Sequence, residues 1–341
     1  RNAYDQAGWQ PEDVDFIECH GAGTPLGDQT ETKSLTDLWA ERPWSKGQCA
    51  IGSIKSMIGH LLTAAGAAGM VKTLLAMQNK RIPPTLNFSE PPQNSPLANS
   101  AFRVPTNPEE WQHRKPGIPR KAGISAFGFG GINAHMLLQE YRSENIETTH
   151  AESLTIKRTE KAKPVAALSE EDQENSSLIA IVGMDACFGK LQSLRAFQEA
   201  VFNGKPAIGP RPKDRWRGAE NDASYLPGNK DLNGAFMDSF DWNFNEFNIP
   251  PAEIPDIIPQ HLFMLKTAFN AMQDAGLPLR KKRDNMGAII GIDFDYEATE
   301  YHLRWMLNEK VVEWNAKHQL NLSKDDLQKW IERLQAAMGP P

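Results

Sequence analysis

Two histidines sit in glycine- and alanine-rich surroundings that suit chemistry on a carbonyl group. His20 lies in Asp15-Phe16-Ile17-Glu18-Cys19-His20-Gly21-Ala22-Gly23-Thr24-Pro25-Leu26-Gly27-Asp28, and His60 closes Gly52-Ser53-Ile54-Lys55-Ser56-Met57-Ile58-Gly59-His60. In each stretch a strand-like apolar run passes through a tight turn into a helix, which places the imidazole at a loop tip or helix start. Two neutral imidazoles can each donate a ring N–H to one oxygen. Such a pair stabilises negative charge developing on a thioester carbonyl, as in the enolate left by a decarboxylation. Lys55 can hold that site electrostatically or orient its partners. A single His-Gly pair is more often a structural loop residue; the two full contexts together favour chemistry.

The elements that must position these residues can be read from the apolar patterns. Val14 to Cys19 and Cys49 to Ile54 read as short buried strands. Asp28 and Glu31 form a capping-box-like start for a helix bearing Leu35, Leu38 and Trp39 on one face. Leu61 to Met77 reads as a second helix, in which Ala64-Ala65-Gly66-Ala67-Ala68-Gly69 leaves almost no side-chain bulk. Glycine weakens a helix, so that density predicts close packing against another backbone. Gly123 to Phe127 and Ile132 to Leu138 form a strand–turn–strand unit around Gly128-Phe129-Gly130-Gly131. Further on, Leu178 to Met184 and Gly287 to Ile292 read as strands, and Leu194 to Val201 and Pro259 to Asp274 as helices. Leu327, Trp330, Ile331 and Leu334 mark a last amphipathic helix. Between the two α/β-patterned blocks, residues 143–177 are rich in charge and poor in large apolar side chains, the composition of a linker.

The 341 residues carry a net charge of −6, with 37 basic against 43 acidic side chains. No basic face dominates, so nucleic acid and anionic membrane surfaces are not expected partners. No apolar run approaches the about 18 residues of a membrane-spanning helix, and Arg1-Asn2-Ala3 starts no signal peptide. The 3 cysteines are far apart and odd in number, so no disulfide framework is expected and a reducing cytoplasm is the default location. A zinc site from Cys19, His20, Cys49 and His60 is disfavoured, because none of the usual ligand spacings occurs. Cys19 adjoins His20 at a strand end, where its side chain should face the other way as a small buried residue. The chain opens at once on helical residues and stops at Gly339-Pro340-Pro341, which gives the expectation of an excerpt from a longer polypeptide.

The first block resembles the β-ketoacyl synthases of the thiolase superfamily. The family's motifs match in order at His20 to Asp28, at Lys55 to His60, and at Gly128 to His135. The resemblance implies decarboxylative Claisen condensation: an acyl chain on a cysteine is extended by a malonyl thioester carried on the phosphopantetheine of an acyl carrier protein. By that resemblance His20 and His60 bind the malonyl carbonyl and promote decarboxylation, while Lys55 supports the His60 side. Phe129, with Gly130 beside it, matches the family's gate, and Thr24 would line the pantetheine tunnel. No directly bound cofactor or metal is implied. The nucleophilic cysteine belongs to a front half that would precede these motifs, so none is expected in this chain. Ala22, Met57 and Ile132 depart from the usual Thr, Asn and Thr, which bears on site polarity rather than on a catalytic group. Gly69 replaces a Glu common in stand-alone fatty acid enzymes and favours the polyketide-like branch.

The second block resembles the front half of the same family. Ile179 to Met184, Arg211 to Trp216, Gly234 to Met237, Phe240 to Phe247 and Ala271 to Gly276 follow the family's opening sequence. The usual Asp-Pro-Gln-Gln-Arg is Ile258-Pro259-Gln260-His261-Leu262 here, with its charged residues gone. A domain that keeps the scaffold and loses those charges resembles a chain-length factor, the non-condensing partner of a ketosynthase. The resemblance therefore implies an α/β, thiolase-like layered αβαβα architecture. Residues 1–142 are the rear half of a ketosynthase, 143–177 the linker, and 178–341 the front part of a chain-length factor. That tandem is similar to the polyunsaturated fatty acid synthases of marine bacteria. Other domains of the same synthase and a ketosynthase-type dimer are the implied partners. Exposed apolar surface, and no condensation by the excerpt alone, are the corresponding expectations. The rival readings are a non-enzymatic scaffold with degenerate domains and a thiolase-like degradative enzyme; the latter would need a second cysteine acid, and no matching rear-half position holds one.

Overall fold

The computed structural model describes residues 1–40, 42–92, 95–142, 179–212, 233–237, 242–254, 257, 259–292 and 296–337. The linker read over 143–177, Leu178, the stretch from Lys213 to Trp216, the start of Phe240 to Phe247 and Ile258 lie outside the described residues. In chain order the first block builds α1 (Asn2–Ala7), β1 (Phe16–Glu18), α2 (Pro25–Trp39), β2 (Cys49–Gly52), α3 (Lys55–Ile58), α4 (Ala65–Asn79), β3 (Arg81–Ile82), β4 (Phe102–Arg103), β5 (Glu109–Glu110), β6 (Lys121–Phe127) and β7 (Asn133–Gln139).

A five-stranded sheet runs in the order β4-β2-β1-β6-β7. The first four strands are parallel and β7 is antiparallel to β6. Parallel strands are covered on both faces, which is why β1 and β2 read as continuous apolar runs and are buried throughout. Alternate residues divide between the two faces. Ile17, Cys19, Cys49 and Ile51 pack with Leu35 and Trp39 of α2, with Tyr4 of α1 and with Phe102. Phe16, Ala50 and Ala122 pack on the opposite face with Ala76 and Met77 of α4 and with Trp111. The sheet is thus a middle layer between α2 and α4, the α/β arrangement expected.

The glycine-rich start of α4 is where the helix comes closest to the sheet. A Cβ built on Gly66 would lie 3.1 Å from the Cβ of Ala126, and one on Gly69 would lie 2.8 Å from Cγ of Glu18. The helix itself begins at Ala65, after a short 3-10 turn at Leu62–Ala64, rather than at Leu61. The β6–β7 connection is a tight turn at Phe129–Gly131, with Gly130 and Gly131 at φ 78° and 84°. That left-handed backbone suits glycine.

The second block contributes α5 (Leu194–Phe202), β8 (Gly209–Pro210), β9 (Asn233–Gly234), α6 (Phe244–Phe247), α7 (Pro259–Asp274), α8 (Tyr296–Lys317) and α9 (Lys324–Ala337). Ser193 caps α5 by accepting from the Ala196 amide, and Phe197, Val201 and Phe202 pack against Ile54, Met57, Ile58, Ala68 and Leu75 of the first block. Leu307, Val311 and Ile331 form the buried seam between α8 and α9, as the apolar spacing of α9 predicts. Among the described residues two expected strands do not form: residues 179–184 and 287–292 have no regular secondary structure and no ladder partner. An apolar run becomes a strand only when a neighbour takes up its backbone groups. Here the Met184 amide instead donates to Asp274 at the end of α7, 2.9 Å away. Ile179, Val182, Ile289 and Ile290 consequently stand exposed, as does Ile132 beside β7.

Gly69→Ala tests the close approach of α4. Glu18 is buried and held at both oxygens, so it cannot yield to the new methyl group. The expected outcome is a loss of about 1–3 kcal/mol in stability, read as a lower midpoint in chemical denaturation; an unchanged or higher midpoint contradicts the packing described.

Candidate active site

β1, β2 and β6 are neighbours and run parallel, so the chain leaves all three at the same edge of the sheet. His20 lies just past β1, Lys55 and His60 follow β2, and Phe127 ends β6. Adjacency of the three strands therefore gathers residues that are far apart in sequence.

The loop holding His20 is fixed from below. Glu31, on α2, accepts hydrogen bonds from the His20 and Gly21 amides, each 2.8 Å long. Ser53 Oγ donates to the Gly21 carbonyl at 3.1 Å. Gly21 has φ +41°, and a Cβ there would lie 2.8 Å from that of Ser53, so no larger residue fits this turn. The expected capping box does not form. α2 starts at Pro25 behind Thr24, and Asp28 instead accepts from the Gly23 amide at 3.2 Å. Proline at the first helical position has no amide that needs a cap, which frees Asp28 and Glu31 to hold the loop.

Each imidazole has its Nδ1 occupied by a backbone donor. The Phe127 amide donates to His20 Nδ1 at 3.3 Å, and the Leu62 amide donates to His60 Nδ1 at 3.1 Å. Leu62 is held at φ 48°, a left-handed conformation that a leucine adopts only under constraint. A neutral ring that accepts at Nδ1 carries its proton on Nε2. The two rings lie edge to face, with centroids 5.3 Å apart and an interplanar angle of 76°. Each neutral ring thus has one N–H donor, at Nε2, and the two rings are in contact. The Phe127 ring leans on His20 at 5.2 Å.

Electrostatics favour the neutral form of both rings. Burial pushes the pKa of His20 down, and the charges of Lys55 and His60 push the same way. His60 is lowered by burial and then by Lys55. Lys55 is itself lowered by partial burial, against the opposing pull of Glu18 and Glu31.

The structure thus brings His20, His60 and Lys55 to one place. Thr24 is exposed at the head of α2. Gly130 occupies the exposed turn between β6 and β7, the hairpin whose base contributes Phe127; the Phe129 side chain lies outside the described residues. Cys19 and Cys49 pack in the apolar layer under α2, and burial raises both thiol pKa values. Cys187 is also raised by burial. Among the described residues no three potential metal-ligating side chains cluster, and no helix is long and apolar enough to cross a membrane. Sequence reasoning missed the Phe127 and Leu62 amides, which carry no side-chain signature. It also missed Glu18 and Lys72, whose signal was visible: one acid and one base, each inside an otherwise apolar element.

Three family models match the chain. Residues 1–89 match the β-ketoacyl synthase C-terminal domain, 91–181 the ketoacyl-synthetase C-terminal extension, and 176–325 the β-ketoacyl synthase N-terminal domain. A polyunsaturated fatty acid synthase polypeptide of Thraustochytrium sp. is 33% identical over 315 residues, covering 91% of this chain and 14% of that protein. Polyketide synthase PksL of Bacillus subtilis is 38% identical over 174 residues, 50% of this chain and 4% of its own length. The solved ketosynthase from module 6 of the Bacillus subtilis bacillaene synthase aligns at 42% identity over 41% of this chain and 26% of its own, with a TM-score of 0.40. The chain therefore spans a small part of the relatives it matches. With β-ketoacyl synthase C-terminal-domain sequence at 1–89 around His20 and His60, and N-terminal-domain sequence at 176–325, the chain belongs to the β-ketoacyl synthase family of the thiolase superfamily.

Proposed function

We propose that the first block serves the decarboxylation half of a Claisen condensation within a multidomain synthase. The observation that carries this reading is the edge-to-face contact of two imidazoles whose Nδ1 atoms accept from backbone amides, which leaves Nε2 as the N–H donor of each neutral ring. A malonyl thioester, delivered on the phosphopantetheine arm of an acyl carrier protein, places its carbonyl oxygen between them. The bond from Cα to the free carboxylate breaks and CO2 leaves. Its electron pair passes into the enolate, whose oxygen is held by the two N–H groups. The enolate carbon then attacks an acyl thioester on a cysteine that this chain does not supply, and the displaced thiolate completes the balance. Lys55 keeps both rings in the donor form.

The second block is proposed to be a non-condensing, chain-length-factor partner. Its support is the loss of charge at Ile258-Pro259-Gln260-His261-Leu262 and the single alignment to a polyunsaturated fatty acid synthase that covers 91% of the chain, hence both blocks. Domain limits of 1–142, 143–177 and 178–341, dimerisation through a ketosynthase-type interface and work in polyunsaturated fatty acid or polyketide synthesis complete the proposal.

In the synthase that carries this chain, His20→Ala and His60→Ala should each slow malonyl-thioester decarboxylation by about a hundredfold or more, measured as CO2 release. A wild-type rate surviving both substitutions favours the scaffold reading and removes the enzymatic one.

The pH dependence has a definite sign. Protonating either ring converts it to a cation that disturbs the arrangement, so the rate falls on the acid side, with an inflection below the ordinary imidazole value because both rings are lowered. Lys55→Gln removes a cation that opposes ring protonation, so the inflection moves up. A pH profile of kcat for the two proteins checks this; an inflection that stays in place or moves down contradicts it.

A further inference from the structure

The strongest unexplained feature is a buried ion pair behind the imidazoles. Glu18 is 2% exposed and Lys72 0%. Lys72 Nζ donates to Glu18 Oε2 at 2.7 Å, while Glu18 Oε1 accepts from the Ile54 amide at 2.6 Å. Two glycines shape the slot: a Cβ on Gly69 would strike Glu18 Cγ, and one on Gly52 would lie 3.5 Å from Lys72 Nζ. A buried pair of this kind is a poor source of stability, since apolar residues of similar size often serve as well. Its placement explains it better.

We propose that Glu18, clamped by Lys72, is a positioning residue that sets His60 and Lys55 in register with His20; the proposal rests on the decarboxylation reading above. Glu18 ends β1, two residues before His20, so its backbone leads directly into the loop that carries the first imidazole. Its side chain crosses to the start of α3. Ile54 is the residue from which α3 springs: its carbonyl accepts from the Met57 and Ile58 amides at 2.9 and 3.2 Å. α3 has one turn and no side-chain cap at Ile54; Ser53 steadies it locally, accepting from the Lys55 amide at 3.4 Å and from the Ser56 hydroxyl at 2.9 Å, while Glu18 is the carboxylate that links its first residue to β1. The Glu18–Ile54 hydrogen bond therefore joins the arm carrying Lys55 and His60 directly to the strand carrying His20. Lys72, on α4, keeps the carboxylate turned toward Ile54 and ties both to the helix that follows His60.

Removing one partner alone leaves an unpaired buried charge, which can prevent folding outright, so the test uses neutral pairs in the synthase that carries this chain. Lys72→Met is combined with either Glu18→Gln, which keeps an oxygen acceptor for the Ile54 amide, or Glu18→Met, which has the same length and lacks it. With Glu18→Met/Lys72→Met, kcat for malonyl-thioester decarboxylation should fall about tenfold or more while KM changes little. Glu18→Gln/Lys72→Met should recover most of that loss, and the two thermal midpoints should agree closely. Equal kcat in the two double variants, or a loss that tracks the thermal midpoint, overturns the positioning role. A wild-type synthase that releases no CO2 from the malonyl thioester overturns the functional reading and this proposal with it, so the two failures are distinguishable.

Discussion

Parallel pairing of β1 with β2 on one side and β6 on the other is the constraint on which the site depends. Strands that run the same way release their chains at one edge, and the loops leaving adjacent strands must meet there. His20 follows β1, Lys55 and His60 follow β2, and the Phe127 amide closes β6. A hairpin pairing of β1 with either neighbour would send these groups to opposite ends. Burial on both faces makes the three strands rigid, and α2 and α4 supply that burial. The precision of the imidazole pair is therefore a consequence of sheet topology before any side chain is considered.

On that frame, polar groups hold the loops where apolar packing cannot. Glu31 takes two amides beneath His20, Ser53 donates to the Gly21 carbonyl, and Glu18 reaches the Ile54 amide. All three side chains are buried, and a buried hydrogen bond to a carboxylate is stronger and more directional than one in water. The same low-polarity surroundings push both imidazoles toward the neutral form, with Lys55 acting in the same sense. Positioning and protonation state thus share one cause.

Much of this was legible in the sequence where short-range pattern decides the outcome. The helix read from Pro259 to Asp274 is observed over those residues, and the glycine turn between β6 and β7 lies where Gly128-Phe129-Gly130-Gly131 placed it. The glycine–alanine run of α4 does mark a close approach, to Ala126 and Glu18. Long-range partners decided the rest. Asp28 and Glu31 have the spacing of a capping box, yet Pro25 starts the helix earlier and both carboxylates turn to the loop before it. The apolar runs at 179–184 and 287–292 have strand composition, but composition supplies no neighbour, and among the described residues neither segment forms a ladder. Orientation of the two imidazoles was not legible at all, because it is set by main-chain amides of Phe127 and Leu62, and any residue type but proline offers one.

The cysteines bear on the same chemistry. A reactive thiolate needs a partly exposed, electropositive setting that lowers its pKa. Cys19 and Cys49 have the reverse: they pack in the apolar layer under α2, and burial raises both. Cys187 is raised as well, although Lys266 acts in the opposite direction. The strand alternation that turns Glu18 toward α4 is what turns Cys19 toward α2, so a carboxylate at the site's foundation and a usable thiol at position 19 are mutually exclusive outcomes of the same β1 register. The function proposed for these residues accordingly asks for no thiol among them: it needs a carbonyl oxygen bound, and the charge that forms on it stabilised, by two neutral donors at the edge of a parallel sheet.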